Sequence, residues 1–296
     1  RLGITFHAFD MIRQFQQIVM DAFTQAYEQG LTPNPCIRCN AHLKFGAMLE
    51  KALEMGFDYV VSGHYARVRQ DENTGRYLLY KAEDRSKDQT YFLYSLTQHQ
   101  LSHTLFPLGE LSKAQVRQIA QEQGFLNAQK RDSQDICFIP DGDYPAFLRR
   151  FTGKDYPAGN FLDENGQIVG RHSGAVDYTI GQRKGLGLAM GRPVYVCGKD
   201  MEKNTVTVGP EENLFSTTLI AENCNWFPFD TLTAPIEVTA KARYRHKEQS
   251  ALVSPLPDGR VEVVFSTPQR ALTTGQAVVF YNGETVIGGG TICEIK

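Results

Sequence analysis

The chain has 296 residues, 42% of them hydrophobic and 22% charged, with a formal net charge of −2. That length holds two or three domains with sizeable cores. The charge excludes a general polycation, so a nucleic-acid partner would be gripped by local basic patches. No apolar run reaches the ~18–20 residues that cross a bilayer and no leader pattern opens the chain, which predicts a cytoplasmic protein with no membrane partner. Six cysteines are too few for a disulfide scaffold, so they point to thiol or metal chemistry.

Residues 4–9 (ITFHAF) read as a short strand, and Asp10 as the cap of a helix. Met11, Ile12, Phe15, Ile18, Val19, Ala22, Phe23 and Ala26 recur at helical spacing until Gly30. LTPNPCIRCN (31–40) reads as a loop because of its two prolines, and a second helix covers about 41–55. DYVVSGH (58–64) reads as a compact strand, followed by the hairpin YARVRQ–DENTG–RYLLYKA. Ser112 and Gln115 form a capping-box pattern for a helix over 113–123. The Gly- and Pro-containing segment 152–160 then marks a change of character. Short alternating segments follow: VYVCGKD, NTVTVG, IEVTAKARYR, RVEVVF and AVVFYNGETVIGGG, with turns at Asp258-Gly259 and Asn282-Gly283. The pattern predicts an α/β domain to about residue 150, a small module over 151–211, and a β-barrel or sandwich over 212–296.

Several groups could carry chemistry. Cys36-x-x-Cys39 sits just before a predicted helix, whose N-terminal dipole would lower a thiol pKa. The pair reads either as reactive thiols or as two small loop residues; no second ligand pair supports structural zinc. Cys137 lies among Ile136, Phe138 and Ile139, as a packed strand cysteine would, and Cys197, Cys224 and Cys293 fall in apparent strands. Gly63-His64 ends a strand, where α/β sheets bind ligands, but an ordinary turn looks the same. Lys87-Asp88-Gln89 precedes an aromatic run that reads as core. Arg183-Lys184 and the stretch Lys241–Lys247 are the best basic patches, with Arg-Tyr-Arg read on a strand; a bare charge run is as often a solvated face.

Eight segments in register closely resemble the tRNA-specific 2-thiouridylase family. They are TPNPCIRCNAHLKF (32–45), SGHYARV (62–68), KDQTYFLYSL (87–96), LFPLGELSKAQVRQIA (105–120), DSQDICFI (132–139), YTIGQRKGLGL (178–188), ARYRHK (242–247) and TTGQAVVFYNGETVIGGGTI (273–292). The resemblance implies an ATP-pyrophosphatase-like (adenine nucleotide alpha hydrolase-like) α/β domain. It implies ATP with Mg2+ as co-substrate, and 2-thiolation of the wobble uridine (U34) of tRNAs for Lys, Glu and Gln. ATP would adenylate the C2 oxygen, and a sulfur-relay donor protein would load a cysteine persulfide that attacks C2. By motif, Cys137 is similar to the persulfide carrier and Cys39 to the second thiol. Gly63 is similar to an ATP contact. Asn34, Pro35 and Cys36 match the segment touching the target base, and His64, Lys87, Asp88, Gln89, Arg243, Tyr244 and Gln276 resemble tRNA contacts.

Two departures stand out. The family's Ser-Gly-Gly-x-Asp-Ser phosphate loop is not found here. The expectation is a longer natural protein, of which this chain alone would be a tRNA-binding piece without turnover. Many members carry Asp where this chain has Cys36. That opens a second route to the same product, with Cys36, Cys39 and Cys137 holding a [4Fe–4S] cluster.

Overall fold

The computed structural model describes residues 3–126, 128–129 and 136–296. Its first part is helical. One helix runs over 12–28; its cap position is Met11, one residue after the Asp10 expected, and Asp10 accepts from the Ile12 amide at 2.9 Å from just outside the helix. Gly30, at φ +79°, lets the chain turn out of it. A second helix runs over 35–54 and begins six residues earlier than the prolines suggested. Pro35 occupies the first helical position, where the missing N–H costs nothing, and Asn34 accepts from the Cys36 amide at 3.1 Å. Cys36 therefore lies in the first turn of a helix and Cys39 at the start of the next, not in a loop before it. Both helices loosen into π-type winding, over Gln16–Asp21 and Cys39–Ala47.

The strand expected at 4–9 does not form. No described residue pairs with it, and Ile4 and Phe6 stand 76% and 88% exposed. Of 58–64 only β1 (Val60–Val61) is strand, paired in parallel with β4 (Thr104–Leu105). The hairpin β2 (Ala66–Gln70) and β3 (Tyr77–Lys81) forms as read. A short helix, Gln98–Ser102, carries a capping box of Thr97 and Gln100 that the sequence reading passed over. The helix Lys113–Glu122 has the expected box of Ser112 and Gln115.

The central module follows the helix Tyr144–Thr152. Its four-stranded sheet runs in the order β6 (Ile168–His172), β5 (Gly159–Leu162), β8 (Thr205–Gly209), β7 (Tyr195–Asp200). The bidentate pair from Arg149 to Asp177, at 2.8 and 2.9 Å, ties the helix to it.

The C-terminal part is a closed barrel of β9 (Phe215–Trp226), β10 (Ile236–Lys241), β11 (Gln249–Pro255), β12 (Val261–Arg270), β13 (Ala277–Asn282) and β14 (Thr285–Ile295). Closure comes from the pairing of β13 with both β10 and β14. Cys197, Cys224 and Cys293 lie in β7, β9 and β14, as read. ARYRHK does not continue β10; the strand ends at Lys241 and residues 242–247 turn.

Two unforeseen features lock the parts together. The β2–β3 hairpin joins the barrel sheet, with Tyr80 opposite Thr285 and Leu79 opposite Val286. β13 is buried on both faces. Val278 and Phe280 fill the barrel, while Ala277, Val279 and Tyr281 pack with Phe45, Leu49, Leu79, Tyr91 and Leu96. Tyr91 Oη also donates to the Ala277 carbonyl at 2.9 Å. Each such buried side chain contributes roughly 1.5–3 kcal/mol, so the shared core is a substantial joint.

Candidate active site

A cavity of about 820 Å³ opens where the two long helices, the 136–138 turn and the barrel loop 243–245 converge. Cys36, Cys39 and Cys137 all line it. They are free thiols, Cys36 and Cys137 exposed to it and Cys39 half-buried.

Cys137 is in a turn, not the strand expected, with the Ile139 amide bonded to the Ile136 carbonyl at 2.8 Å. Its neighbours anchor it. Phe138 packs edge-on against Phe15 and Phe23 and lies 5.1 Å from Phe147, and Ile139 is buried. The flanking apolar side chains enter the core and the thiol is left at the tip. Residues 132–135 of the DSQDICFI segment lie outside the described residues.

The thiols on the helix do not behave as a bare helix N-terminus predicts. Burial by the cavity walls pushes Cys36 and Cys39 above the usual thiol range, and Lys44 pulls back by less. A charge on Cys137 would push both further up, an effect that needs proximity. The shift runs opposite to the lowering expected from the helix start, with desolvation its largest cause. Among the described residues no group of three or more His, Cys, Asp or Glu side chains is placed to hold a metal ion.

The rest of the wall is cationic and aromatic. Lys44, Lys87, Lys113 and Arg245 line it, with no carboxylate among the described lining residues. Phe92 and Tyr244 line it too, their rings 4.4 Å apart. His64 accepts or donates at 2.7 Å to Ser62 Oγ, and burial, helped by Lys44, depresses its pKa to about 4, so it is neutral at pH 7.

Of the residues singled out from sequence, the cavity brings together Pro35, Cys36, Cys39, Gly63, His64, Lys87, Gln89, Cys137 and Tyr244. Four stand behind it. Asn34 caps the Cys36 helix. Asp88 is turned inward, accepting from the Ala82 amide at 2.9 Å and from Thr90 Oγ1 at 2.6 Å. Arg243 donates to the Ile180 carbonyl and to Thr273 Oγ1, tying the central module to the barrel. Gln276 donates to the Thr32 carbonyl at 2.6 Å, holding the entry to the thiol helix. Sequence reasoning missed Asn40, Lys44 and Lys113. Lys44 and Lys113 sit on helical faces where a lysine looks merely solvated. Asn40 directly follows Cys39 but carries no signal of its own.

Comparison with known proteins fits this arrangement. Domain models match in series: one described as a tRNA methyl transferase HUP domain over residues 1–141, a tRNA methyl transferase PRC-barrel domain over 145–210, and an aminomethyltransferase beta-barrel domain over 216–292. The fold is that of a HUP-domain protein carrying a PRC-barrel module and a C-terminal barrel. The tRNA-specific 2-thiouridylase MnmA of Acetivibrio thermocellus is 49% identical over 292 residues, covering 99% of this chain and 81% of that protein. That of Clostridium acetobutylicum is 48% identical, with 99% and 82% covered, and that of Carboxydothermus hydrogenoformans 49%, with 99% and 80%. The chain belongs to the tRNA-specific 2-thiouridylase family. Among the described residues, no helix is long and apolar enough to cross a membrane.

Proposed function

We propose that the cavity is a sulfur-transfer site, where the wobble uridine of tRNA is converted to 2-thiouridine with ATP as activator, in the cytoplasm. The observation that carries this reading is three thiols, from two segments about a hundred residues apart, opening onto one cationic cavity with aromatic walls. Methyl transfer appears in the names of two of the domain models, but the thiols favour the sulfur chemistry of the named relatives.

A uracil carbonyl is a poor electrophile until its oxygen becomes a leaving group. ATP supplies this by forming the C2–O–AMP bond and releasing pyrophosphate. Lys87, Lys113 and Arg245, beside Gly63, offer charge for phosphates of nucleotide and tRNA. The base must leave its stack to enter, and Phe92 and Tyr244 give it a face to lie on.

Because the helix thiols are held protonated, a preformed persulfide is the better nucleophile: it ionises at lower pH and is soft. A donor protein loads Cys137, at the exposed turn tip, with the extra sulfur. Its terminal sulfur attacks C2. Addition leaves an electron pair on N3, which takes the Cys39 proton, and the thiolate so formed attacks the Cys137 sulfur and breaks the S–S bond. The released electron pair forms C2=S and expels AMP, leaving a Cys39–Cys137 disulfide for an external thiol to reduce. Purified enzyme given ATP, a sulfur donor and tRNA tests this. Cys137→Ser should abolish 2-thiouridine formation while tRNA still binds; full thiolation by that variant ends the reading.

A further inference from the structure

The persulfide sequence uses two of the three thiols in the cavity and leaves Cys36 without a task. Cys197, Cys224 and Cys293 lie in strands and are not among the described lining residues. Sulfur exchange in the cavity therefore concerns Cys36, Cys39 and Cys137. Cys36 and Cys39 are one helical turn apart, and the backbone is α-helical through Cys39, at φ −59° and ψ −43°. That geometry sets their Cα atoms about 5 Å apart and their Cβ atoms about 5–6 Å apart on one face. A disulfide takes Cα separations of about 4.4–6.8 Å and Cβ separations of about 3.5–4.5 Å. The side chains need to close by about 1–2 Å, a movement within reach of a helix end. The same Cys-x-x-Cys spacing serves disulfide exchange in thioredoxin-like proteins.

Thiolation leaves Cys137 locked to Cys39, and a locked Cys137 cannot take the next sulfur from the donor. Cys36 stands one turn from that disulfide and is exposed to the same cavity. Attack across one turn is intramolecular, so it outpaces attack by a dissolved thiol.

We propose that Cys36 is the resolving thiol, which attacks Cys39 in the Cys39–Cys137 disulfide and sets Cys137 free for reloading. This rests on the persulfide reading of the cavity. The Cys36 sulfur bonds to the Cys39 sulfur as the Cys39–Cys137 bond breaks. The electron pair of the broken bond leaves on Cys137, and the proton given up by Cys36 ends there. One disulfide replaces another, with no net oxidation. The external thiol then reduces Cys36–Cys39, entering at Cys36, which is exposed where Cys39 is half-buried.

The test is a disulfide map after one turnover. Enzyme is loaded with sulfur by a cysteine desulfurase and cysteine, then freed of small thiols under nitrogen. It is mixed with ATP, Mg2+ and tRNA, quenched with N-ethylmaleimide and mapped by mass spectrometry without reduction. Wild type should yield a Cys36–Cys39 disulfide and an alkylated Cys137, in step with the 2-thiouridine formed. The disulfide should be missing when tRNA is left out. In Cys36→Ser the map should shift to Cys39–Cys137. The wild-type map stands without the variant, so misfolding of the variant cannot imitate it. Two results overturn the assignment and leave the persulfide reading intact: 2-thiouridine made with Cys39–Cys137 kept and Cys36 alkylated, or an equal yield of Cys36–Cys39 without tRNA. A wild type that makes no 2-thiouridine refutes the persulfide reading, and this assignment with it.

Discussion

Gly275 is where the barrel presses on the entry to the thiol helix, and Gly275→Ala should loosen that joint. The residue has φ +86°, and an added Cβ would lie 2.9 Å from Leu31 Cβ and 3.0 Å from the Thr32 nitrogen. One obstacle is backbone, so it cannot rotate away. On either side, the Thr32 amide donates to Thr274 O at 3.0 Å and Gln276 donates to Thr32 O at 2.6 Å. The left-handed backbone costs an alanine about 1–2 kcal/mol and the overpacking about 1–3 kcal/mol. The stiffer unfolded chain returns roughly 0.4–1 kcal/mol. The net loss is about 2–4 kcal/mol, a fall in melting temperature of about 3–6 °C for a chain of this size. Thermal melting measures it, and iodoacetamide labelling of Cys36 and Cys39 should quicken as their helix start loosens. A melting temperature equal to that of wild type refutes the clamp.

Lys44 lowers the pKa of both helix thiols. Lys44→Met should therefore slow their alkylation at pH 8, because less of each thiol is then ionised; an unchanged rate removes Lys44 from the thiol electrostatics. His64 takes its proton near pH 4 when folded and near 6.5 when unfolded. Its contribution to stability is whole above about pH 6.5 and is lost as pH falls toward 4. Urea unfolding at pH 7, 5.5 and 4.5 should show His64→Asn losing less stability with acid than wild type, and identical slopes contradict the assignment. His246 shifts in the same direction, so some slope should survive the substitution.

What was legible in the sequence was local. Gly30, the Ser112–Gln115 box and the Asn282-Gly283 turn act within a few residues, and each sits where read. Pro35 misled because the same ring that breaks a helix interior suits its first position, and only the Asn34 side chain distinguishes the two cases. The 4–9 stretch is apolar enough for a strand, but a strand exists through its neighbour, and none pairs with it among the described residues. Cys137 looked packed because its neighbours are; the turn at 136–139 sends them inward and leaves the thiol out. AVVFY of β13 read simply as strand, yet its unbroken burial records two cores, one on each side. The cavity itself was visible only as motifs, since its walls come from segments as far apart as Phe15 and Arg245.

The hairpin β2–β3 has a consequence for how substrate recognition reaches the chemistry. By completing a sheet begun two hundred residues later, with Arg67 on Glu284 and Lys81 on the Gly283 carbonyl, it denies the C-terminal barrel the freedom of a tethered arm. Whatever the barrel grips is registered against the thiols as by a fixed jig.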